Sequence, residues 1–443
     1  MSREEREVLK SLIVLSVPTI IEQILSTLLQ YVDTAMVGRL GESATASVSV
    51  TTTVTWLVNG FPQAIGVGVL AMIAKAVGSG DKKQVERISG QALLLAVLCG
   101  VIVGGISMLL APFIPVWMGA DASIQKTASR YFFIISLPML FRSANIILGA
   151  AIRATKDTKT PMIISFGANL LNVILNYILI YWMGFGVVGA AMASALSFTF
   201  SGVLMFVAYL RNDYLHIHWR DLTLDAAILR ECGALSIPVL GTNVTSCLGY
   251  VVFASLVTGM GNTIFAAHSI AVTAETLFYI PGYGLRTATS ALVGISRGEG
   301  DAGKFETISR LSVILTVGMM CISGLVLYFA AHPLMELFTN SGEVADIGAA
   351  MLKLVAFSEP FFGLMIVLEG IFYGLGHTRY AFLVETGGMW CIRILCTFLC
   401  VRVFGLSLTA VWYCMIADNV CKALLFTLPV LTKKKRETLF FTA

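Results

Sequence analysis

Twelve apolar runs of roughly twenty residues or more recur along the whole chain, and they constrain its fold more than any other feature. A helix needs about 20 mainly apolar residues to cross the hydrocarbon core of a bilayer. Within that core every backbone polar group must be bonded internally, which leaves helices and closed barrels as the spanning structures. The runs lie near 11–37, 44–77, 91–115, 128–150, 160–183, 188–210, 233–257, 263–293, 311–331, 350–373, 380–401 and 408–431. The second and eighth are the longest, and Pro62 and Pro281-Gly282 interrupt them, which predicts bent helices there. Composition agrees: 57% of the 443 residues are hydrophobic and 13% are charged, against about a quarter charged in soluble domains. The sequence therefore predicts an all-α, polytopic membrane protein with twelve transmembrane helices, and excludes a soluble enzyme.

The apolar run after Arg3, Glu4, Glu5, Arg6, Glu7 and Lys10 exceeds a signal-peptide core and ends in no small-residue cleavage site, so 11–37 reads as a true first span. Of the thirty lysines and arginines, twenty-one fall on the side of the N-terminus and five on the opposite side. Arg142, Arg286, Arg393 and Lys422 lie within spans. Positive charge collects on the cytoplasmic side, so both termini are expected in the cytoplasm and the protein in the inner (cytoplasmic) membrane. The tail Lys433-Lys434-Lys435-Arg436 reads as a cytoplasmic stop against anionic lipid, and no nucleic-acid partner is expected. The nine cysteines sit mostly in apolar runs and form no CxxC pairs, so they read as small packing residues.

The chain repeats itself at one constant offset, half its length. Ser16-Val17-Pro18 returns as Ser236-Ile237-Pro238, Gly78-Ser79-Gly80-Asp81 as Gly298-Glu299-Gly300-Asp301, Ile88-Ser89 as Ile308-Ser309, and Asp157-Thr158-Lys159 as His377-Thr378-Arg379. Six spans per half give a parallel repeat: an N-lobe at 1–210, a cytoplasmic linker at 211–232 holding Arg211, Asp213, His216, His218, Arg220 and Asp221, and a C-lobe at 233–443. Two pseudo-symmetric six-helix bundles rocking about a central cleft is the design this symmetry predicts for transport.

An ionisable group in the bilayer costs about 2.5–3.5 kcal/mol on insertion scales, so each is a functional candidate. Glu22, Ser26, Gln30 and Asp33 fall on one stripe of the first span, and Asp33 in its outer half is a candidate proton- or cation-binding carboxylate. Asn169, Asn172 and Asn176 share a face of the fifth span. They serve either as interhelical adhesive or as ligands that join Asp33 in a Na⁺ or proton site. In the eighth span Glu275 is followed by Tyr279, Tyr283 and Arg286, and Glu359 precedes Pro360 in the tenth. A carboxylate lined by aromatic rings suits a large organic cation, while an ion pair with Arg393 is the structural alternative. Glu275, Tyr279, Tyr283, Arg286, Glu359 and Gln30 are the candidate substrate contacts.

Four segments form a recognisable pattern: Pro18 through Val32-Asp33-Thr34-Ala35-Met36-Val37-Gly38-Arg39-Leu40-Gly41, then Thr155-Lys156-Asp157-Thr158-Lys159-Thr160-Pro161, Ala266-Ala267-His268-Ser269-Ile270 through Glu275 and Pro281-Gly282, and Gly374-Leu375-Gly376-His377-Thr378-Arg379. In order and spacing they resemble the MATE (multidrug and toxic compound extrusion) family, in its DinF-like or general bacterial branch. The resemblance implies two six-helix lobes, a monomer, and export of small organic, often cationic compounds in exchange for H⁺ or Na⁺, with no cofactor. It implies that Asp33 takes part in coupling, joined by Asn172 and Asn176, with Asn176 in place of an acid found in some members and Ser194 as a sixth-helix hydroxyl. Asp33, Asn172 and Asn176 would be the metal ligands under Na⁺ coupling, and Glu22 is a further candidate. The chain departs from the NorM-like branch, having no acid around Thr242-Asn243-Val244 and Phe362 near the tenth-helix acid position, which argues against that branch's C-lobe Na⁺ site. Arg286 stands where a small residue is usual, either to neutralise an acid or to admit anionic groups. Arg142, Arg286 and Arg393 support one alternative, a flippase of lipid-linked precursors from a related group.

Overall fold

A computed structural model describes residues 2–215, 217, 222–431 and 439–440. His216, His218, Arg220 and Asp221 of the expected linker, and the basic Lys433–Arg436 stretch, lie outside the described residues. Among the described residues ten continuous helices are long and apolar enough to span a membrane: Arg3–Gly38, Glu42–Ser79, Lys82–Leu110, Lys159–Trp182, Gly186–Leu210, Ala226–Thr258, Asn262–Glu299, Ala302–Phe338, Thr378–Val403 and Leu408–Val430. Two bent pairs complete the twelve, Ala122–Ser136 with Met139–Ala154 (49°) as the fourth span and Gly342–Ala356 with Glu359–Leu375 (57°) as the tenth. The chain is a multi-pass membrane protein.

The breaks in the fourth and tenth spans fall beside Pro138 and Pro360. The helix is interrupted at Leu137-Pro138 and at Phe357-Ser358, just ahead of Pro360 in the first turn of the next segment. Proline has no N–H to donate and its ring crowds the preceding turn, yet it is tolerated in a first turn where N–H groups are free anyway. The helices holding Pro62 and Pro281 run on unbroken.

The tandem repeat is visible in the helix boundaries. Glu42–Ser79 is matched by Asn262–Glu299, and the paired segments beginning at Ala122 and Met139 by those beginning at Gly342 and Glu359. The turn between second and third spans recurs between eighth and ninth. Gly80 and Gly300 both end a helix at φ 71°, a left-handed conformation that favours glycine. Asp81 then accepts the Gln84 N–H at 3.0 Å and Asp301 the Lys304 N–H at 2.9 Å, each capping the next helix.

Packing groups the chain into two compact units, Ile21–Leu240 and Met1–Ile20 together with Gly241–Ala443. The divide falls inside the first and seventh helices, at positions equivalent in the repeat, whereas chain order places the linker at 211–232. In the Ile21–Leu240 unit, Gly202 lies so close to Phe141 that a methyl group there would overlap the Phe141 carbonyl oxygen. The start of the seventh helix is anchored here too: Gln91 donates to the Thr223 carbonyl at 2.7 Å and accepts from the Asp225 N–H at 3.1 Å. The Ile228 N–H, with the Arg87 guanidinium and the Ala227 N–H, holds the Asp225 carboxyl below the usual carboxylate range. In the other unit Trp412, Leu352, Met335 and Val411 form a buried core. Its first segment joins through an ion pair of Glu5 with Arg310 and the close approach of Ile20 to Gly284.

Candidate functional site

The first and fifth spans carry two polar stripes with the same spacing, and the Ile21–Leu240 unit sets them in register. Glu22, Ser26 and Asp33 bond Ser165, Asn169 and Asn176, each pair at the same separation along the chain. Ser165 Oγ donates to Glu22 Oε1 at 2.7 Å, Asn169 Nδ2 to Ser26 Oγ at 3.0 Å, and Asn176 Nδ2 to Asp33 Oδ1. Steps of one and two helical turns in both helices keep the side chains on one face. Asn176 also donates to Asn172 Oδ1 at 3.1 Å, and Asn172 donates to Ser194 Oγ of the sixth span at 3.3 Å. Asn176 is fully buried, and its Oδ1 has no hydrogen-bond partner among the described residues. A carboxylate and an unpartnered amide oxygen thus sit on neighbouring helices. Immediately after Asn176 the helix widens into a π-helical segment, Tyr177–Trp182, a form that recurs at functional sites. From it Tyr181 donates to the Met36 carbonyl at 2.7 Å.

Glu22 stands apart from this cluster. Both its oxygens accept from Arg153, at 2.9 and 2.8 Å, so its charge is matched within the bundle.

The second unit gathers a larger set of buried charges. Glu275 and Glu359 are buried and within electrostatic reach of one another. Glu359 is 2% exposed and its Oε2 has no hydrogen-bond partner among the described residues. One turn along, Tyr279, Tyr283 and Phe362 form an aromatic cluster with ring centroids 5.1–6.2 Å apart. Arg286 lies over the Tyr283 ring at 4.9 Å and pairs with Glu369 at 2.7 Å, and Tyr373 donates its hydroxyl to the same carboxylate at 2.6 Å. A second network joins the eleventh and twelfth spans. Asp418 pairs with Arg393 at 2.9 Å and with Lys422 at 3.2 Å, Lys422 reaches Glu385 at 3.0 Å, and Arg393 donates to Asn419 at 3.2 Å. Gly388 makes room for it: a methyl there would overlap both Asp418 Oδ1 and Lys422 Cε.

The MatE family model matches residues 18–178 and again residues 238–399. The chain belongs to the MatE family. Among its relatives, "Probable multidrug resistance protein NorM" of Thermotoga maritima is 28% identical over 436 residues, covering 97% of this chain and 94% of that protein. "Probable multidrug resistance protein YoeA" of Bacillus subtilis is 23% identical over 420 residues, covering 93% and 90%. In fold the chain matches a variant of the Vibrio cholerae MATE transporter VcmN at TM-score 0.93 and 19% identity, over 99% of this chain and 100% of that one. A MOP superfamily transporter from Pyrococcus furiosus matches at TM-score 0.91 and 21% identity, over 99% of both chains. This is a MATE multidrug efflux transporter family member and not an enzyme.

In this MATE chain, Asp33, Asn172, Asn176 and Ser194 form one connected cluster, while Glu22 lies on Arg153. Tyr279 and Tyr283 come together around Phe362, with Arg286 over the Tyr283 ring and Glu275 and Glu359 nearby. Gln30 is exposed and belongs to the other unit, with its backbone carbonyl accepting from Thr34. Arg393 pairs with Asp418 rather than Glu275. Sequence reasoning passed over Arg153, Ser165, Asp418 and Asn419. For Asp418 the signal was present, an acid one helical turn before a lysine inside an apolar run, which is ion-pair spacing. For Arg153 no local signal existed, because its partner Glu22 is far away in the chain and belongs to another helix. Among the described residues no three His, Cys, Asp or Glu side chains gather as a metal site.

Proposed function

We propose that this chain is a secondary active antiporter that exports organic, cationic or amphipathic compounds in exchange for H⁺ or Na⁺ by alternating access. The observation that carries the reading is the Asp33–Asn176–Asn172–Ser194 chain, a membrane-embedded carboxylate beside a buried amide oxygen left free to accept. A cation arriving there neutralises Asp33 and changes the hydrogen bonding that ties the first helix to the fifth. Ion and substrate are then coupled through the conformations each prefers, and each shifts the equilibrium only by its differential affinity. Under Na⁺ coupling the ligands are Asp33, Asn172 and Asn176; under H⁺ coupling the carboxylate takes the proton. The acids Glu275 and Glu359 with the rings of Tyr279, Tyr283 and Phe362 suit a large organic cation, by charge and by cation–π attraction. The multidrug-resistance names of the relatives support export of small organic compounds. The positive-charge bias supports an inner-membrane protein with both termini cytoplasmic, and the working unit in this reading is a monomer. Of the three arginines that support the flippase alternative, Arg286 and Arg393 each have an acid partner, and Arg142 lies over the Phe198 ring at 4.2 Å.

Inverted membrane vesicles supplied with a fluorescent organic cation test this, with pH and Na⁺ gradients imposed separately. One gradient is expected to drive accumulation at the expense of that gradient. Accumulation that ignores both gradients would overturn the reading.

A further inference from the structure

At the repeat offset from the Asp33 cluster, the second unit replaces the polar ion site with sulfur. Ser194 maps to Cys414, Asn176 to Cys396 and Asp33 to Phe253. Carboxylate, carboxamide and hydroxyl give way to an aromatic ring and two thiols, and Cys400 lies one helical turn beyond Cys396. Across the eleventh and twelfth spans Cys400 Sγ and Cys414 Sγ lie 3.9 Å apart, close to van der Waals contact, so a modest side-chain rotation brings them to bonding distance. Read from sequence alone these residues are packing residues, but a facing pair on two helices has a chemistry that a lone thiol lacks.

We propose that Cys400 and Cys414 form a redox-modification site, a dithiol that closes to an intramolecular disulfide stapling the eleventh span to the twelfth. The oxidant is a small disulfide, RSSR. Cys400 is partly accessible while Cys414 is buried, and Cys400 lies close to the span's end at Val403, so it reacts first. Its sulfur, losing its proton, attacks RSSR to give a mixed disulfide, and the departing RS⁻ leaves as RSH. Cys414 then gives up its proton and attacks the Cys400 sulfur, and a second RSH leaves. The two protein thiols are oxidised by two electrons, and one RSSR is reduced to two RSH. The staple closes a short loop, so its effect lies in restricting motion between two helices whose facing segment is π-helical at Leu399–Val403.

Full-length protein in detergent, incubated with oxidised glutathione, denatured and labelled with a maleimide mass tag, reads the outcome. The wild type is expected to lose two of its nine reactive thiols, and peptide mapping is expected to find a 400–414 cross-link that a reductant reverses. Cys414→Ser is expected to halt at the first step, with glutathione held on Cys400, while Cys321→Ser changes nothing. The proposal is overturned if all nine thiols stay reactive, if the wild type keeps glutathione on Cys400 without a cross-link, or if the link joins other cysteines.

Discussion

Replacing Asp418 with asparagine removes one negative charge from the most enclosed ion network among the described residues while keeping its shape. Asp418 is 0% exposed, and it faces Arg393 at 2.9 Å and Lys422 at 3.2 Å. Lys422 retains Glu385 at 3.0 Å, so its charge stays matched. Arg393 retains two neutral partners, Asn419 at 3.2 Å and the Tyr250 ring at 6.0 Å, and is itself buried. Stranding a buried charge by removing its partner costs about 3–5 kcal/mol. The surviving Asn419 bond and the nearby Glu275 place the expected loss toward the lower end, about 3 kcal/mol. Unfolding by SDS titration in mixed micelles, followed through tryptophan fluorescence, measures it. The double variant Arg393→Met with Asp418→Asn removes the stranded cation as well, and is expected to lose less than the sum of its parts, with a coupling of about 0.5–3 kcal/mol. A loss below about 1 kcal/mol for Asp418→Asn, the value of an exposed pair, would refute the assignment of these charges to a buried, mutually neutralising set. So would strict additivity in the double variant.

Glu22→Gln strands Arg153 in the same sense, and its expected cost of about 1.5–3 kcal/mol is read in the same titration; no loss would mean that the Arg153 contact contributes nothing. Gly202→Ala is expected to destabilise by about 1–3 kcal/mol because its methyl meets the Phe141 backbone. Gly105→Ala, with open space at that position, is expected to be neutral or to stabilise by up to about 1 kcal/mol through helix propensity. Asp81→Ala and Asp301→Ala each remove a side-chain cap at a symmetry-related turn, and each is expected to cost about 1 kcal/mol in thermal unfolding. A large difference between them would show that the two turns, alike in backbone, differ in load.

Twelve spans were legible in the sequence because hydrocarbon leaves the backbone so few choices, and a span shows itself in local composition alone; their ends were not, since the third helix begins at Lys82 and the ninth at Ala302, in polar sequence ahead of the apolar runs at 91–115 and 311–331. The tandem repeat was legible for a similarly local reason: Gly80 and Gly300 are needed for one conformation, and Asp81 and Asp301 for one cap. The helix breaks were harder to read. Pro62 and Pro281 lie inside continuous helices, while Leu137-Pro138 and Ser358-Glu359-Pro360 interrupt theirs, and local sequence does not separate these cases. The Asp33 cluster was partly legible, since Asn172 and Asn176 share a helical face with no reference to any partner. Which polar residue meets which is decided by the distance between helices, so the Glu22–Arg153 pair and the Arg393–Asp418 pair appeared only in three dimensions. The packing divide inside the first helix had no sequence signal, because residues 3–38 read as one continuous helix and are one.

Asp33→Asn in proteoliposomes tests the central claim most directly, with efflux of a fluorescent organic cation measured under an imposed ion gradient and substrate binding measured separately by equilibrium titration. The account predicts that the variant still binds the compound but no longer converts the gradient into uphill movement. Gradient-driven efflux at the wild-type rate, from protein with asparagine at that position, would contradict it.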